Sequence, residues 1–434
     1  MKFIWIARIL ASFVCCAVFI AFAPNLAAQD QQDQVDSQSP ALWPLIKEGK
    51  FSGEARYRFE AFERDGAPFT APAYAPTLRI ALGYETPTFH GFSVFAEGAT
   101  VIVTGKADYS IPTVPSQNRP DRPTINDPRS LDLNQGYLRW TGGQPGRKLT
   151  LMLGRQEIML NDGRFITIST WRQDHQNFDA AKLKLDLPRN FSFTYAYLNH
   201  VYRVMGHDAT DGKPPMHSHL LDLEWKKANL VNVSLYGVLL DFHLPVLYTQ
   251  STQTFGLRAT GPYQFTKNWS ALYAGEFANQ RNFGSNPAHV NVNYYLGELG
   301  PAWHGFGIQA GYALLQGHSI TDKLTTPLAH PFNAWTDLFA NDPSLGNSHG
   351  LEARYLTATG TPTFLNGGDF RVIYYDYHSD SNRIHYGSEL DATMAYRVKR
   401  VSKRWEIGWR FGCYWADHLF TNAIRTSIYT SYSL

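Results

Sequence analysis

The sequence predicts an all-β protein, a transmembrane antiparallel β-barrel of about 18 strands behind a cleaved signal peptide. Three observations carry that expectation. The 434 residues are rich in aromatic and glycine residues, with 14% Phe, Trp and Tyr and 34 Gly. Apolar and polar residues alternate with period two along one segment after another. After residue 28, no apolar run is long enough to cross a bilayer as a helix, and the mean hydropathy is −0.30. Strands whose side chains alternate between lipid and water have this composition.

The amino terminus reads as a targeting segment. Lys2 and Arg8 precede the apolar run Ile9–Ala23, and Ala27 and Ala28 precede a polar tract. That is a signal peptide, 1–28, with cleavage after Ala28. The alternative, a retained anchor, needs ~20 apolar residues, more than the run supplies. Cys15 and Cys16 lack a lipobox context, so only Cys413 remains in the mature chain and no intrachain disulfide can form. Of 39 Lys and Arg, the loss of Lys2 and Arg8 leaves 37, against 37 Asp and Glu. A balanced charge excludes the basic excess of a nucleic-acid binder. Residues 29–49 form a polar segment expected in the periplasm, and 50–434 the barrel.

The strands follow in order. Phe51, Gly53, Ala55, Tyr57, Phe59 and Ala61 oppose Ser52, Glu54, Arg56, Arg58 and Glu60. A soluble β-sandwich also alternates, and repetition along the whole chain argues against it. Leu78–Tyr84 alternates with Arg79 inward. Strand 92–104 carries Glu97, and 135–140 carries Arg139. Segments 149–153, 181–187 (with Lys182 and Lys184), 191–204, 221–225 and 230–242 continue the pattern. Further strands read at 251–260, 268–279, 289–299, 305–316, 350–359, 369–378, 383–399 and 403–415. The last runs from Ile424 to Leu434. A barrel must close with such a strand, because an open edge in lipid leaves backbone groups unpaired. Eighteen results, or sixteen if two weaker segments merge. Polar segment 105–131 is placed outside the cell, 317–349 reads as a second long polar loop, and both are long enough to fold inward.

Between two of these strands lies an unusually polar stretch, residues 154–181. It includes Gly154-Arg155-Gln156-Glu157, Asn161-Asp162-Gly163-Arg164-Phe165, Trp171-Arg172, and Gln176-Asn177-Phe178-Asp179-Ala180. Asp162, Asp174, His175 and Asp179 raise the question of acid–base catalysis or cation binding. No recognised nucleophile or metal spacing accompanies them, so no catalytic residue, metal or cofactor is assigned. His217 and His219 share a strand face beside a loop and read as a solvated pair. Gly305, Gly307 and Gly311 precede no helix and read as close-packing glycines.

Those motifs resemble the signature of the alginate export family, carried here by Gly154, Arg155, Gln156, Glu157, Asp162, Arg164, Trp171, Phe178 and Asp179. The resemblance implies an outer-membrane β-barrel of a Gram-negative bacterium. It further implies a monomer, 18 strands, and an anion-selective channel for a polyuronate. The terminal strand resembles the signal such barrels present to their assembly machinery, with Leu434 in place of the usual Phe.

A polyuronate carries one carboxylate per sugar, so its path needs cations. Strand parity places Arg56, Arg58, Arg79, Arg139, Lys182, Lys184, Arg258, Arg354, Arg371, Arg397 and Arg410 toward the lumen. Arg155, Arg164 and Arg172, with Asp162, Asp174 and Asp179, are expected to form a salt-bridged constriction or loop scaffold there. The same parity places Glu54, Glu60, Glu97, Asp222, Glu224, Glu276, Glu352, Glu389, Asp391 and Glu406 inward, so the lumen is mixed in charge. The expected function is an outer-membrane channel for an anionic polysaccharide or oligosaccharide, in contact with outer-membrane lipid. A general or sugar-selective porin for small solutes is the alternative, and a β-rich envelope enzyme stands behind both.

Overall fold

Alternating sequence becomes alternating wall. The structure, a computed structural model, describes residues 48–329, 335–341, 348–362, 367–399 and 401–434. Residues 1–47, with the expected signal peptide and most of the polar segment, lie outside it. The first nine strands are β1 (Lys50–Arg64), β2 (Ala73–Glu85), β3 (Phe92–Val103), β4 (Ser130–Gln144), β5 (Arg147–Gln156), β6 (Asn177–Leu187), β7 (Phe191–Tyr202), β8 (Pro215–Lys227) and β9 (Val231–Leu239). The second nine are β10 (Thr252–Gln264), β11 (Trp269–Asn282), β12 (Asn291–Trp303), β13 (Phe306–Leu315), β14 (Leu351–Gly360), β15 (Gly368–His378), β16 (His385–Arg397), β17 (Trp405–Ala416) and β18 (Ala423–Ser433). A single helical turn, α1 (Leu338–Asn341), lies in the segment between β13 and β14.

Each strand pairs with its neighbour in the chain, and β1 pairs with β18 to close one antiparallel sheet of 18 strands. The seam runs from Glu54 opposite Ser433 to Arg64 opposite Ala423. Closure leaves no edge to be satisfied by lipid. Short turns and the β18 terminus lie at one end, the periplasmic end of such barrels. The longer segments 104–129, 157–176, 203–214 and 240–251, and the described residues between β13 and β14, leave the strands at the other.

The outward face is apolar. Leu82, Leu153, Leu257 and Leu299 stand exposed on it, as lipid-facing positions must. Aromatic pairs mark the turn end: Phe92 with Trp140, Phe191 with Trp225, Trp269 with Trp303, and Phe306 with Phe370. Toward the loop end, Phe277 contacts Tyr295, near exposed Phe255, Tyr312 and Tyr374. Two aromatic girdles around an apolar band are the mark of a membrane-spanning barrel.

Inside, segments 104–129 and 157–176 and the described residues of 316–341 fold into the barrel. Tyr109, Ile111 and Ile125 of the first, Ile158, Phe165 and Ile166 of the second, and Leu324 and Leu328 of the third share one buried cluster with the wall. Ile166 pairs with Leu328 in a parallel bridge, and the Thr167 amide donates to the Leu328 carbonyl at 3.0 Å. Described residues of both 105–131 and 317–349, expected to be long enough to enter the lumen, thus do pack inside the wall. Gly311 shows how the wall admits large inward rings. A Cβ there would lie 2.1 Å from the Tyr355 ring, and Tyr355 crosses it to donate to Glu298 at 2.6 Å.

Candidate functional site

The polar stretch of residues 157–176 leaves the wall after Gln156, whose side-chain amide donates to the Ala180 carbonyl at 3.1 Å. It turns at Asn161, with φ 52°, where Asp162 Oδ1 accepts from the Arg164 amide at 3.3 Å. An extended segment without ladder partners needs donors from elsewhere, and wall arginines supply them. Arg56 donates to the Thr170 carbonyl at 2.7 Å and to the Arg172 carbonyl at 2.6 Å. Arg58 donates to the Trp171 carbonyl, and Arg79 to the Gln173 carbonyl at 2.7 Å. Four successive loop carbonyls are therefore capped by three guanidiniums of β1 and β2.

Behind this cap lies a buried ionic network. Arg58 pairs with Asp127 and with Glu60 at 3.2 Å. Arg172 pairs with Asp337 and reaches Glu60 at 3.6 Å. Arg425 of β18 donates to Glu60 and Asp337, both at 2.6 Å. Three guanidiniums and three carboxylates balance, drawn from two wall strands and three inward segments. Buried charges persist only when paired and hydrogen-bonded in this way. Arg425, Asp127 and Asp337 escaped the sequence reading of the site. Arg425 had the inward parity that could have flagged it; the two aspartates lie in aperiodic segments with no such signal.

Trp171 sits at the centre. The Arg58 guanidinium lies 4.5 Å and that of Arg410 3.9 Å from its ring centre, and Tyr429 meets it edge-on at 5.9 Å. Arg410 is also 4.3 Å from the ring of Trp335. In register, Arg371, Thr393, Arg410, Ser427 and Glu60 form one inward row across β15 to β18 and β1. Among the described residues, Arg371, Arg410 and Lys182 have no carboxylate within 4 Å, unlike the other wall cations around them.

A cavity of about 640 Å³ opens beside the loop, lined by Asp162, Lys184, Asp222, Glu224, Lys226, Arg258 and Glu298, among others. Arg258 pairs there with Asp162 at 3.0 Å and with Glu276, and Lys226 with Glu224 at 3.0 Å. Lys184 lies 3.7 Å from Asp186. At the turn end, Arg139 pairs with Glu85 and Arg397 with Glu406 at 3.8 Å. Arg164 is buried, 5.2 Å from the ring of Tyr294.

Two expected lumen cations lie elsewhere. Arg155 shares the outward face with Leu153, which is 64% exposed, while Gln156 points inward and is buried. It pairs with Asp179 at 2.9 Å and stacks 3.4 Å from the ring of Tyr202. Arg354 shares the face of Leu356, 54% exposed, while Ala353 is buried, and it pairs with Glu352 at 2.6 Å. Arg155, Asp179, Glu352 and Arg354 are thus corrected from the lumen to the outer rim. Near the loop end the outer wall leaves the hydrocarbon, so charge there no longer marks the inward face.

The acids considered for catalysis are parted as well. Asp162 pairs with Arg258 and Asp179 faces outward. Glu157 accepts from the His175 ring at 2.9 Å. Burial opposes the Glu157 charge, but His175 and Asn134 hold its carboxyl below the usual range. Burial lowers His175. Burial, with Asp132 adding repulsion, pushes the Asp174 carboxyl up to about 7. His217 and His219 lie on the outer face of β8, bonded to Tyr197 and Tyr195 respectively.

The sequence profile of the family described as alginate export matches residues 50–326. No functionally curated protein matches the sequence at a significant level. Solved structures match over nearly the whole barrel. OccK9 (OpdG) of Pseudomonas aeruginosa has a TM-score of 0.69 at 13% identity, covering 90% of this chain and 99% of that one. OccAB4 of Acinetobacter baumannii gives 0.69 at 11%, covering 89% and 98%. OpdK of P. aeruginosa, solved with vanillate, gives 0.66 at 11%, covering 90% and 99%. At these identities the likeness speaks for the fold.

Proposed function

We propose that this chain, which belongs to the alginate export family and is an outer-membrane β-barrel channel, passes anionic polysaccharide or oligosaccharide of the uronate class. The observation that supports this reading is the division of labour among the lumen cations. Arg56, Arg58, Arg79 and Arg172 are engaged by loop carbonyls and buried acids. Arg371, Arg410 and Lys182 are left without a carboxylate partner among the described residues. A guanidinium stays charged and offers a fork of donors to a carboxylate. Cations at separate positions bind each sugar acid weakly enough to release it to the next, as conduction demands. Arg410, 3.9 Å from the ring of Trp171 and 4.3 Å from that of Trp335, is the first residue we assign to the solute path.

In this reading the chain acts as a monomer. Residues 1–28 direct export, and β18 serves recognition by the barrel-assembly machinery. The Leu434 amide donates to the Gly53 carbonyl at 2.8 Å, which holds that end against β1.

A second reading, a porin for small carboxylates, draws on the described residues of the inward segments that pack inside the wall. OpdK, a structure of the same fold, was solved with vanillate, itself a carboxylate. Planar-bilayer recording separates the two. Anion preference in a salt gradient, with block by oligouronates but not by neutral oligosaccharides of equal length, supports the uronate channel. Anion preference with block by small carboxylates alone selects the porin, and cation preference rejects both.

A further inference from the structure

A second cluster lies outside the lumen, on the outer wall at the loop end. Asp376 and His378 of β15 alternate with buried Tyr375 and Tyr377, and so share the outward face of exposed Tyr374. A bulge between Tyr377 and His378 shifts the register and sets His385 of β16 directly opposite His378. Gly387, at φ 143°, makes the shift possible, because a side chain there would strain the backbone.

The shift draws three ligand-type atoms together, all within 4.8 Å of one another. His385 Nε2 lies 2.9 Å from Asp376 Oδ1, and His378 Nδ1 lies 3.6 Å from Asp376 Oδ2. The two imidazole rings are 5.0 Å apart. Ligands ~2.0–2.1 Å from one tetrahedral ion stand at comparable separations from each other. Two details point to a ligand beyond the residues themselves. His378 Nδ1 is shielded from solvent and has no hydrogen-bond partner, an unfavourable state for a buried nitrogen. His385 Nδ1 lies 2.9 Å from Asp417. An N–H donated there leaves the Nε2 lone pair free, the carboxylate–histidine–metal arrangement in which the outer carboxylate sets the tautomer.

We propose that Asp376, His378 and His385 form a binding site for a borderline divalent ion such as Zn²⁺, with Asp417 orienting His385. Two nitrogens and one oxygen suit such an ion better than Ca²⁺ or Mg²⁺, which take oxygen ligands. Glu352, opposite His378 in register, is held by Arg354 and is not one of the ligands. The fourth position faces the headgroup layer and is filled by water. The ion joins β15 to β16 and, through Asp417, to segment 417–422, so its effect is to brace that part of the rim. The outward group around His217 differs: His217 has Nδ1 bonded to Tyr197, and Asp241 accepts from Ser285.

The test is Zn²⁺ titration by calorimetry on the chelator-treated full chain in detergent, with Co²⁺ absorption as a second readout. One saturable site is expected, weakened at least tenfold by His378→Ala and by Asp376→Asn, and unchanged by His217→Ala. Tetrahedral Co²⁺ bands are expected in the wild type and absent from both ligand variants. Circular dichroism establishes that each variant is folded, and either ligand variant alone suffices. No saturable binding, equal binding by the ligand variants, or loss on His217→Ala instead would each overturn the proposal.

Discussion

The guanidinium of Arg410 stacks 3.9 Å over the ring of Trp171, joining the wall at β17 to the inward loop that carries the family motif. Stacking of this kind contributes roughly 0.5–2 kcal/mol and leaves the guanidinium edge free to donate. Arg410→Gln is therefore expected to fold, and to lower the anion-to-cation permeability ratio several-fold. Reversal potentials in a salt gradient measure this; an unchanged ratio would remove Arg410 from the solute path.

Arg172 balances Glu60, Asp127 and Asp337 in a setting closed to water. Arg172→Ala leaves buried acids uncompensated, and a loss of about 3–5 kcal/mol is expected. Unfolding by urea in lipid vesicles, followed by tryptophan fluorescence, gives the value. Trp171 is next in sequence, so its emission should also report a displaced loop before the barrel itself unfolds.

Asp174 provides a pH test. Its folded pKa of about 7 lies above the unfolded carboxylate value of ~3.9, so the folded chain binds this proton more tightly. The stabilisation is full below pH ~4 and is lost as pH rises through about 7. The wild type should melt at a lower temperature at pH 8 than at pH 5, and Asp174→Asn should shrink that difference. An equal difference in both proteins would show that Asp174 does not set it.

Gly311 and Tyr355 test the packing of the wall. A methyl group at 311 meets the Tyr355 ring, so Gly311→Ala should cost about 1–3 kcal/mol by overpacking. Tyr355→Phe removes only the bond to Glu298 and should cost about 1 kcal/mol. If both variants unfold at the same urea concentration as the wild type, the ring does not occupy the glycine's space.

Arg155 separates the two faces of the motif. It lies on the outer rim, against Asp179 and Tyr202, so Arg155→Ala should leave ion selectivity unchanged while lowering stability by about 1 kcal/mol. A change in selectivity comparable to that of Arg410→Gln would return Arg155 to the lumen.

Much of this architecture was legible before the structure. Phe51 to Phe62 declared its two faces by alternation alone, and the terminal strand from Ile424 does pair with β1. The motif at 154–181 pointed to the family that the profile match then showed. Legibility ended where periodicity ended. Glu352 and Arg354 were assigned inward because they are charged, yet the outer wall at the rim also meets water and headgroups. Asp376, His378 and His385 gave no metal spacing, because a bulge and a hairpin bring them together.

By itself, the sequence determined an outer-membrane barrel of eighteen or sixteen strands and which side chains of most strands face in; the structure has eighteen. Period-two alternation is a local property, and each strand carries its own copy of it. Only the tertiary structure decided which inward cations remain available. The carbonyls of Thr170 to Gln173, and the carboxylates of Asp127 and Asp337, come from segments with no period and reach the wall only after folding. Once there, they engage Arg56, Arg58, Arg79 and Arg172, because a buried carbonyl or carboxylate without a donor is too costly to leave. Arg371, Arg410 and Lys182 are left with no carboxylate partner among the described residues.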